Sequence, residues 1–217
     1  MNIDAHPIVL LLVVITVVFS YKGIQDTPLF ERYKFNIAAI LRGERIRLLT
    51  SGFLHADYMH LGFNMYALFL FSDTVLYQEG PLVFLFIYFS SLLAGSFFTL
   101  YYHKTEPYYS AVGASGAVSG IVFSAILMFP DMTLIMFPIP IPLPGYIFGV
   151  GYLLYSIYGM KKGGGNIGHA AHIGGAIGGF VVTLLLVPEL IFQHTLTVFL
   201  LAIPILLLVF LQIKNKQ

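Results

Sequence analysis

The sequence predicts an all-α protein that crosses a membrane several times, and three observations carry that expectation. Of 217 residues, 58% are hydrophobic and only 10% charged, against about 25% charged in an ordinary soluble domain. Long apolar runs recur along the whole chain, many near the roughly 20 residues that a membrane-spanning helix requires. The few polar residues inside those runs gather at their beginnings, although a polar group in hydrocarbon is costly to keep without a task. The net charge of +1 offers no field for nucleic acid. The absence of Cys excludes disulfides, thiol catalysis and Cys-ligated metal, and leaves the redox compartment open. Trp is absent too, but 14 Tyr and 20 Phe can serve at the lipid interfaces.

Seven spans are expected, at about 7–22, 57–78, 81–102, 114–130, 144–160, 167–187 and 190–212. The first has Asp4 and no Lys or Arg on its flank, and no small-x-small cleavage site follows, so it reads as a retained helix rather than a signal peptide. Segment 23–54 holds Arg32, Lys34, Arg42, Arg45 and Arg47 among aromatic and aliphatic residues, which suits an interfacial, partly helical loop. Residues 137–145 carry four prolines at alternate positions, which forbid helix and favour extended backbone. Lys161-Lys162-Gly163-Gly164-Gly165 reads as a solvated, flexible turn, and Pro188-Glu189 separates the last two spans. With no repeat and no second composition regime, residues 1–217 are expected to form a single membrane domain.

His60 and Asn64 open the second span, Ser115 the fourth, and His169 and His172 the sixth. Four residues advance a helix by about 400°, so His60 and Asn64 share a face. With seven spans, the second, fourth and sixth run the same way, and their first turns share one side and a similar depth. One hydroxyl, one amide and three imidazoles then occupy one layer. Acyl transfer needs such parts. Serine is a weak nucleophile until a base takes its proton, and His is the usual base near neutral pH. The oxyanion needs preorganised donors, which Asn64, the His60 ring N–H and the free N–H groups of a helix start at Ser115 can supply. No buried Asp or Glu completes a triad, so the expected chemistry is a Ser115–His172 dyad with no cofactor. Gly116-xxx-Gly120, Gly174-xxx-Gly178 and Gly175-xxx-Gly179 would let the fourth and sixth spans approach closely, bringing the Ser115 hydroxyl within about 3 Å of His172.

Each part has a plainer reading. A Gly-Ala-Ser-Gly at a helix start is by itself an N-cap or a packing contact. His60 and Asn64 can form an interhelical hydrogen bond, and His169 an interfacial residue. It is the order and company of the motifs that decide.

The chain resembles the rhomboid intramembrane serine proteases. The resemblance rests on the loop-one stretch Arg47-Leu48-Leu49-Thr50-Ser51-Gly52-Phe53-Leu54-His55, then His60-xxx-Asn64, Gly113-Ala114-Ser115-Gly116 and Ala171-His172-xx-Gly175-xxx-Gly179, in the family's order from about Arg45 to Gly179. It implies a six-helix core plus an additional C-terminal transmembrane helix at 190–212. It also implies Ser115 as nucleophile, His172 as base, and His60, Asn64 and the Ser115 N–H around the oxyanion. Arg47, His55, Gly113, Gly116, Gly175 and Gly179 would be structural, and the fifth helix the lateral gate. Substrates would be transmembrane segments of other proteins that unravel easily near the scissile bond, with a small residue before it. The implied setting is a multi-pass protein of the cell (plasma or inner) membrane. Three positions depart from the pattern. Ile46 stands where the family has Trp. Ser119 replaces an aromatic that packs under the catalytic imidazole, and Ser72 and Leu76 stand where the family has a glycine and a Glu near the end of the second span.

Rival functions fit less well. His55, His60, His169 and His172 could number a zinc site, but His55 and His60 lie about 140° apart on a helix and no His-Glu-x-x-His appears. A transporter needs ionisable groups at mid-membrane, and Asp73 and Asp131 sit near helix ends. A catalytically weak rhomboid-like binder of membrane proteins would normally lack the Ser or the His. All 11 Lys and Arg fall on the side of loops one, three and five and the C-terminus, which the positive-inside rule assigns to the cytoplasm. That is also the side of the site, whereas the resemblance implies a site facing away from the cytoplasm, and the family orientation is the expectation adopted.

Overall fold

A computed structural model describes residues 6–136, 139–162 and 168–214. The first helix, α1 (Pro7–Gln25), starts where His6 caps the N–H of Ile8 and Pro7 takes the first-turn position, where its missing N–H costs nothing. Loop one folds into short pieces: α2 (Thr27–Tyr33), β1 (Phe35–Asn36), α3 (Ile37–Leu41), α4 (Arg47–Thr50) and a 3₁₀ turn at Ser51–Phe53. Asp26 and Asn36 cap α2 and α3 through their side chains.

The continuous α5 (Tyr58–Tyr102) is two arms joined at Gly80, whose φ of 77° is left-handed, with Pro81 behind it. A β-carbon is disfavoured at that φ, and Pro81 lacks the N–H that would continue the ladder. The break falls in the gap expected between the second and third spans. Strand β2 (Ser110–Ala111) pairs antiparallel with β1, which ties loop one to the segment just before α6 (Ser115–Met128). A proline-rich hairpin follows: β3 (Thr133–Met136) and β4 (Ile139–Pro144). The extended backbone expected there holds for the described residues of the hairpin; Phe137 and Pro138 lie outside them. Then come α7 (Gly145–Lys162), α8 (His169–Leu186), α9 (Leu190–Gln193) and α10 (Thr195–Lys214). The span expected at 190–212 is therefore interrupted at His194. Lys161 and Lys162 form the exposed last turn of α7, while Gly163–Gly165 lie outside the described residues.

At the centre stands α6, in which every residue from Gly116 to Met128 is buried, between α5 and α8. An all-apolar helix of this kind must be covered on every side. Its hydroxyls turn inward for partners: Ser124 donates to the Gly120 carbonyl (2.8 Å) and accepts from Thr183 of α8 (2.7 Å). The outer helices reverse the pattern. Leu10, Leu11, Val14, Val17 and Val18 of α1 and Phe199, Ile203 and Leu206 of α10 point outward, an apolar surface too continuous for water and suited to lipid. The architecture is that of a multi-pass membrane protein. Among the described residues, three helices are long and apolar enough to cross a membrane: Pro7–Gln25, Tyr58–Tyr102 (45 residues) and His169–Leu186. The apolar helix Ser115–Met128 is shorter, so the seven expected spans do not follow from helix length alone.

Candidate active site

Loop one builds the frame. The buried Arg47 guanidinium donates to the carbonyls of Glu31 (2.8 Å) and Lys34 (2.9 Å) and to the Glu44 carboxylate (2.8 Å). One side chain thus gathers three turns of the loop, and these charge-assisted bonds are the strong kind. His55, fully buried, sits 2.8 Å from the Ser20 hydroxyl of α1 and accepts the Ala114 N–H at 3.3 Å. Because Nε2 accepts, the ring proton lies on Nδ1 and is donated to Ser20. The Ser20 hydroxyl donates in turn to the Phe53 carbonyl (2.9 Å). Burial, with the neighbouring His60, holds the His55 pKa down to about 3, so the ring is neutral.

Ala114 precedes the helix of Ser115, so this chain of bonds sets where α6 begins. Gly113 has φ +127°, and a Cβ there would fall 2.7 Å from the His60 ring, so both backbone and space demand glycine. Its N–H donates to the Ser51 carbonyl at 3.0 Å. No side chain caps α6, which leaves first-turn N–H groups beside Ser115 without a side-chain acceptor.

At the head of α5, the Asp57 side chain accepts the His60 N–H (2.8 Å). Asn64, one turn on and buried, gives one amide N–H to the His60 carbonyl (3.0 Å) and keeps a second. The His60 ring meets His55 edge-on at 4.9 Å. On the far side, α6 and α8 meet backbone to backbone. A Cβ on Gly175 would overlap the Gly116 backbone, and one on Gly179 would overlap Gly120. Of the small residues expected to draw these two helices together, Gly116, Gly120, Gly175 and Gly179 are in contact, whereas Gly174 and Gly178 pack instead against Ala94, Gly95 and Ser91 of α5.

Ser115, His60, Asn64 and His172 line one cavity of about 570 Å³, with Ser119, Val118, Val122, Phe63 and Phe71 and, from α7, Phe148 and Tyr152. Arg47 and His55 stand outside it. His169 is buried, its ring 6.2 Å from that of His172, with Tyr155 edge-on at 5.4 Å. Among the described residues no group of three or more His, Asp or Glu could hold a metal ion. One residue was missed by the sequence reading. Tyr152 stacks on the His172 ring at 5.7 Å with an interplanar angle of 18°, and its hydroxyl lies 2.6 Å from that of Ser119.

Comparison with known proteins agrees in one direction. The Rhomboid domain family model matches residues 42–189. Rhomboid protein 1, mitochondrial, of Saccharomyces cerevisiae is 30% identical over 138 residues, covering 62% of this chain and 40% of its own. RHOMBOID-like protein 12, mitochondrial, of Arabidopsis thaliana is 33% identical over 144 residues, covering 59% and 43%. YdcA of Bacillus subtilis, provisionally named a rhomboid protease, is 32% identical over 151 residues, covering 69% and 71%. The matches take in less than half the length of the yeast and Arabidopsis relatives. The matched region runs from loop one to the end of α8 and contains every residue of the cavity described above, and the chain belongs to the rhomboid family.

Proposed function

We propose that the protein is an intramembrane serine endopeptidase that hydrolyses peptide bonds in or beside the transmembrane segments of other membrane proteins. The observation that carries this reading is the single cavity lined by Ser115, His172, His60 and Asn64, in a chain of the rhomboid family. In this mechanism the Ser115 hydroxyl attacks the scissile carbonyl while His172 takes its proton. The oxyanion is held by the second Asn64 N–H, the His60 ring N–H and the Ser115 backbone N–H. His172 then returns the proton to the leaving amine; a water deprotonated by the same ring attacks the acyl carbon, and His172 passes that proton to the departing Ser115 oxygen. Every proton has a holder, and no cofactor is required.

The same reading takes six helices as the core, α10 as an addition, α7 as the substrate gate and residues 1–217 as one membrane domain. Substrates are segments that unwind readily at a small residue. The mitochondrial names of the yeast and Arabidopsis relatives weigh against the cell-membrane expectation, and fractionation of the tagged protein with organelle markers decides the compartment.

The test uses the full chain in detergent with a labelled transmembrane substrate. Ser115→Ala and His172→Ala should each abolish cleavage, and a fluorophosphonate should label Ser115. A parent protein that neither cuts nor labels supports the rival reading, a rhomboid-like binder. Cleavage by both variants at the parental rate would overturn the dyad, and loss of activity with a chelator would favour a metal enzyme.

A further inference from the structure

We propose that Tyr152 is the positioning residue for the catalytic base, supplied from α7 in place of the aromatic that position 119 lacks, and that Ser119 links it to the nucleophile. The inference rests on the Ser115–His172 reading above. Its observations are geometric. The Tyr152 ring lies nearly parallel to His172 at 5.7 Å, an offset stack that limits ring rotation. The Ser119 Oγ is 2.7 Å from the Ser115 carbonyl and 2.6 Å from the Tyr152 hydroxyl. A carbonyl can only accept, so Ser119 spends its one proton there and must accept from Tyr152. The run Tyr152 O–H to Ser119 O–H to Ser115 C=O therefore has one direction.

One side chain of α7 is thus bonded, through Ser119, to the backbone of the residue that attacks, while its ring faces the residue that takes the proton. Phe148, one turn earlier, and Phe123 of α6 pack beside the Tyr152 ring at 5.9 and 6.2 Å. Together they leave the tyrosine little freedom. A serine at position 119 is the complement of a tyrosine at position 152: an aromatic at 119 would occupy the place where the Tyr152 hydroxyl now ends.

The test compares near-isosteric variants, so that packing is retained. Tyr152→Phe keeps the stack and removes the hydroxyl, and should cleave within about threefold of the parent, because only the link to Ser119 is lost. Tyr152→Leu keeps the bulk and removes the flat ring. It should lose about tenfold or more in kcat, the cost expected of a misplaced reacting group, with KM within about twofold. Fluorophosphonate labelling of Ser115 should slow in parallel. Ser119→Tyr added to Tyr152→Ala should recover rate relative to Tyr152→Ala alone, because an aromatic then reaches His172 from α6. Equal kcat in Tyr152→Phe and Tyr152→Leu, or a change confined to KM, would overturn the proposal, as would failure of the double variant to exceed Tyr152→Ala while it retains the parental melting temperature. Cleavage by Ser115→Ala or His172→Ala at the parental rate would instead strike the dyad itself, whatever the Tyr152 variants do.

Discussion

Two helices approach α6 along the cavity, and they do so in opposite ways. On one side α8 lies backbone against backbone, with glycines at 116, 120, 175 and 179 leaving no side chain between them. On the other, α7 reaches the same region through rings and hydroxyls: Tyr152 on Ser119 and His172, and Tyr155 on His169. The first contact has one solution, because backbone cannot rotate out of the way. The second is made of packed side chains, which can yield by small shifts where backbone cannot. Ser115 and His172 thus sit on a fixed pair of helices, while Phe148 and Tyr152, which line the same cavity, come from a third helix held through side chains.

The contrast can be broken by substitution, and the fixed side should respond most. Gly175→Ala puts a methyl into the Gly116 backbone. It should cost at least about 3 kcal/mol, the upper part of the range for overpacking, seen as a large drop in apparent melting temperature with loss of cleavage. A stable and active Gly175→Ala would show that α6 and α8 can slide, and the contrast would fail. Next in size is Gly113→Ala, which combines a φ of +127° with a methyl 2.7 Å from His60. Cleavage should fall by about 10²-fold, the scale of losing one oxyanion donor, with a smaller loss of stability. Asn64→Ala should fall in the same range or below it while melting near the parent, because it removes a donor and leaves the frame standing.

A pH titration sharpens the picture of the frame. The His55 pKa lies near 3 in the fold against 6.5 in the open chain, so the unfolded state binds its proton first as pH falls. Its contribution is fully present above about pH 6.5 and is lost progressively towards pH 3. Apparent melting temperature should decline through that window, with a shallower slope in His55→Asn. The smallest effect is expected on the adjustable side. A Cβ on Gly149 of α7 would crowd Leu201 Cδ2 of α10, at 2.7 Å, and reach Ile126 and Phe123 of α6 at ordinary contact distances of 3.4 and 3.6 Å. The Leu201 atom is the movable end of a side chain, so Gly149→Ala should change stability by under about 1 kcal/mol.

The same division describes what the sequence could reveal. The apolar runs, with the gap between the second and third spans, and the small residues of α6 and α8 were legible, because each is a local pattern. Of the polar groups at the helix starts that were expected together, His60, Asn64, Ser115 and His172 line one cavity and His169 does not. Arg47 and His55 were marked only by resemblance. Apart from the Glu44 carboxylate and the Ser20 hydroxyl, their partners are the carbonyls of Glu31 and Lys34 and the N–H of Ala114, and backbone atoms leave no trace in residue identity. Tyr152 was missed although Ser119 was noticed. The replacement sits 33 positions downstream on another helix, and no helical period connects the two. Its one signal is a phenol standing between the small residues Gly149, Gly151 and Ser156 of α7. The interruption of the last span at His194 had a signal that was read through: Gln193-His194-Thr195 is a polar break in the apolar run.

The length of α6 has a consequence of its own. Fourteen residues rise about 21 Å, some 9 Å less than a hydrocarbon layer of about 30 Å. A crossing at this point can therefore be made only in part by the helix. Under the proposed function the remainder would be a well walled by protein, where water, the second reactant of a hydrolysis, stands without touching the acyl chains.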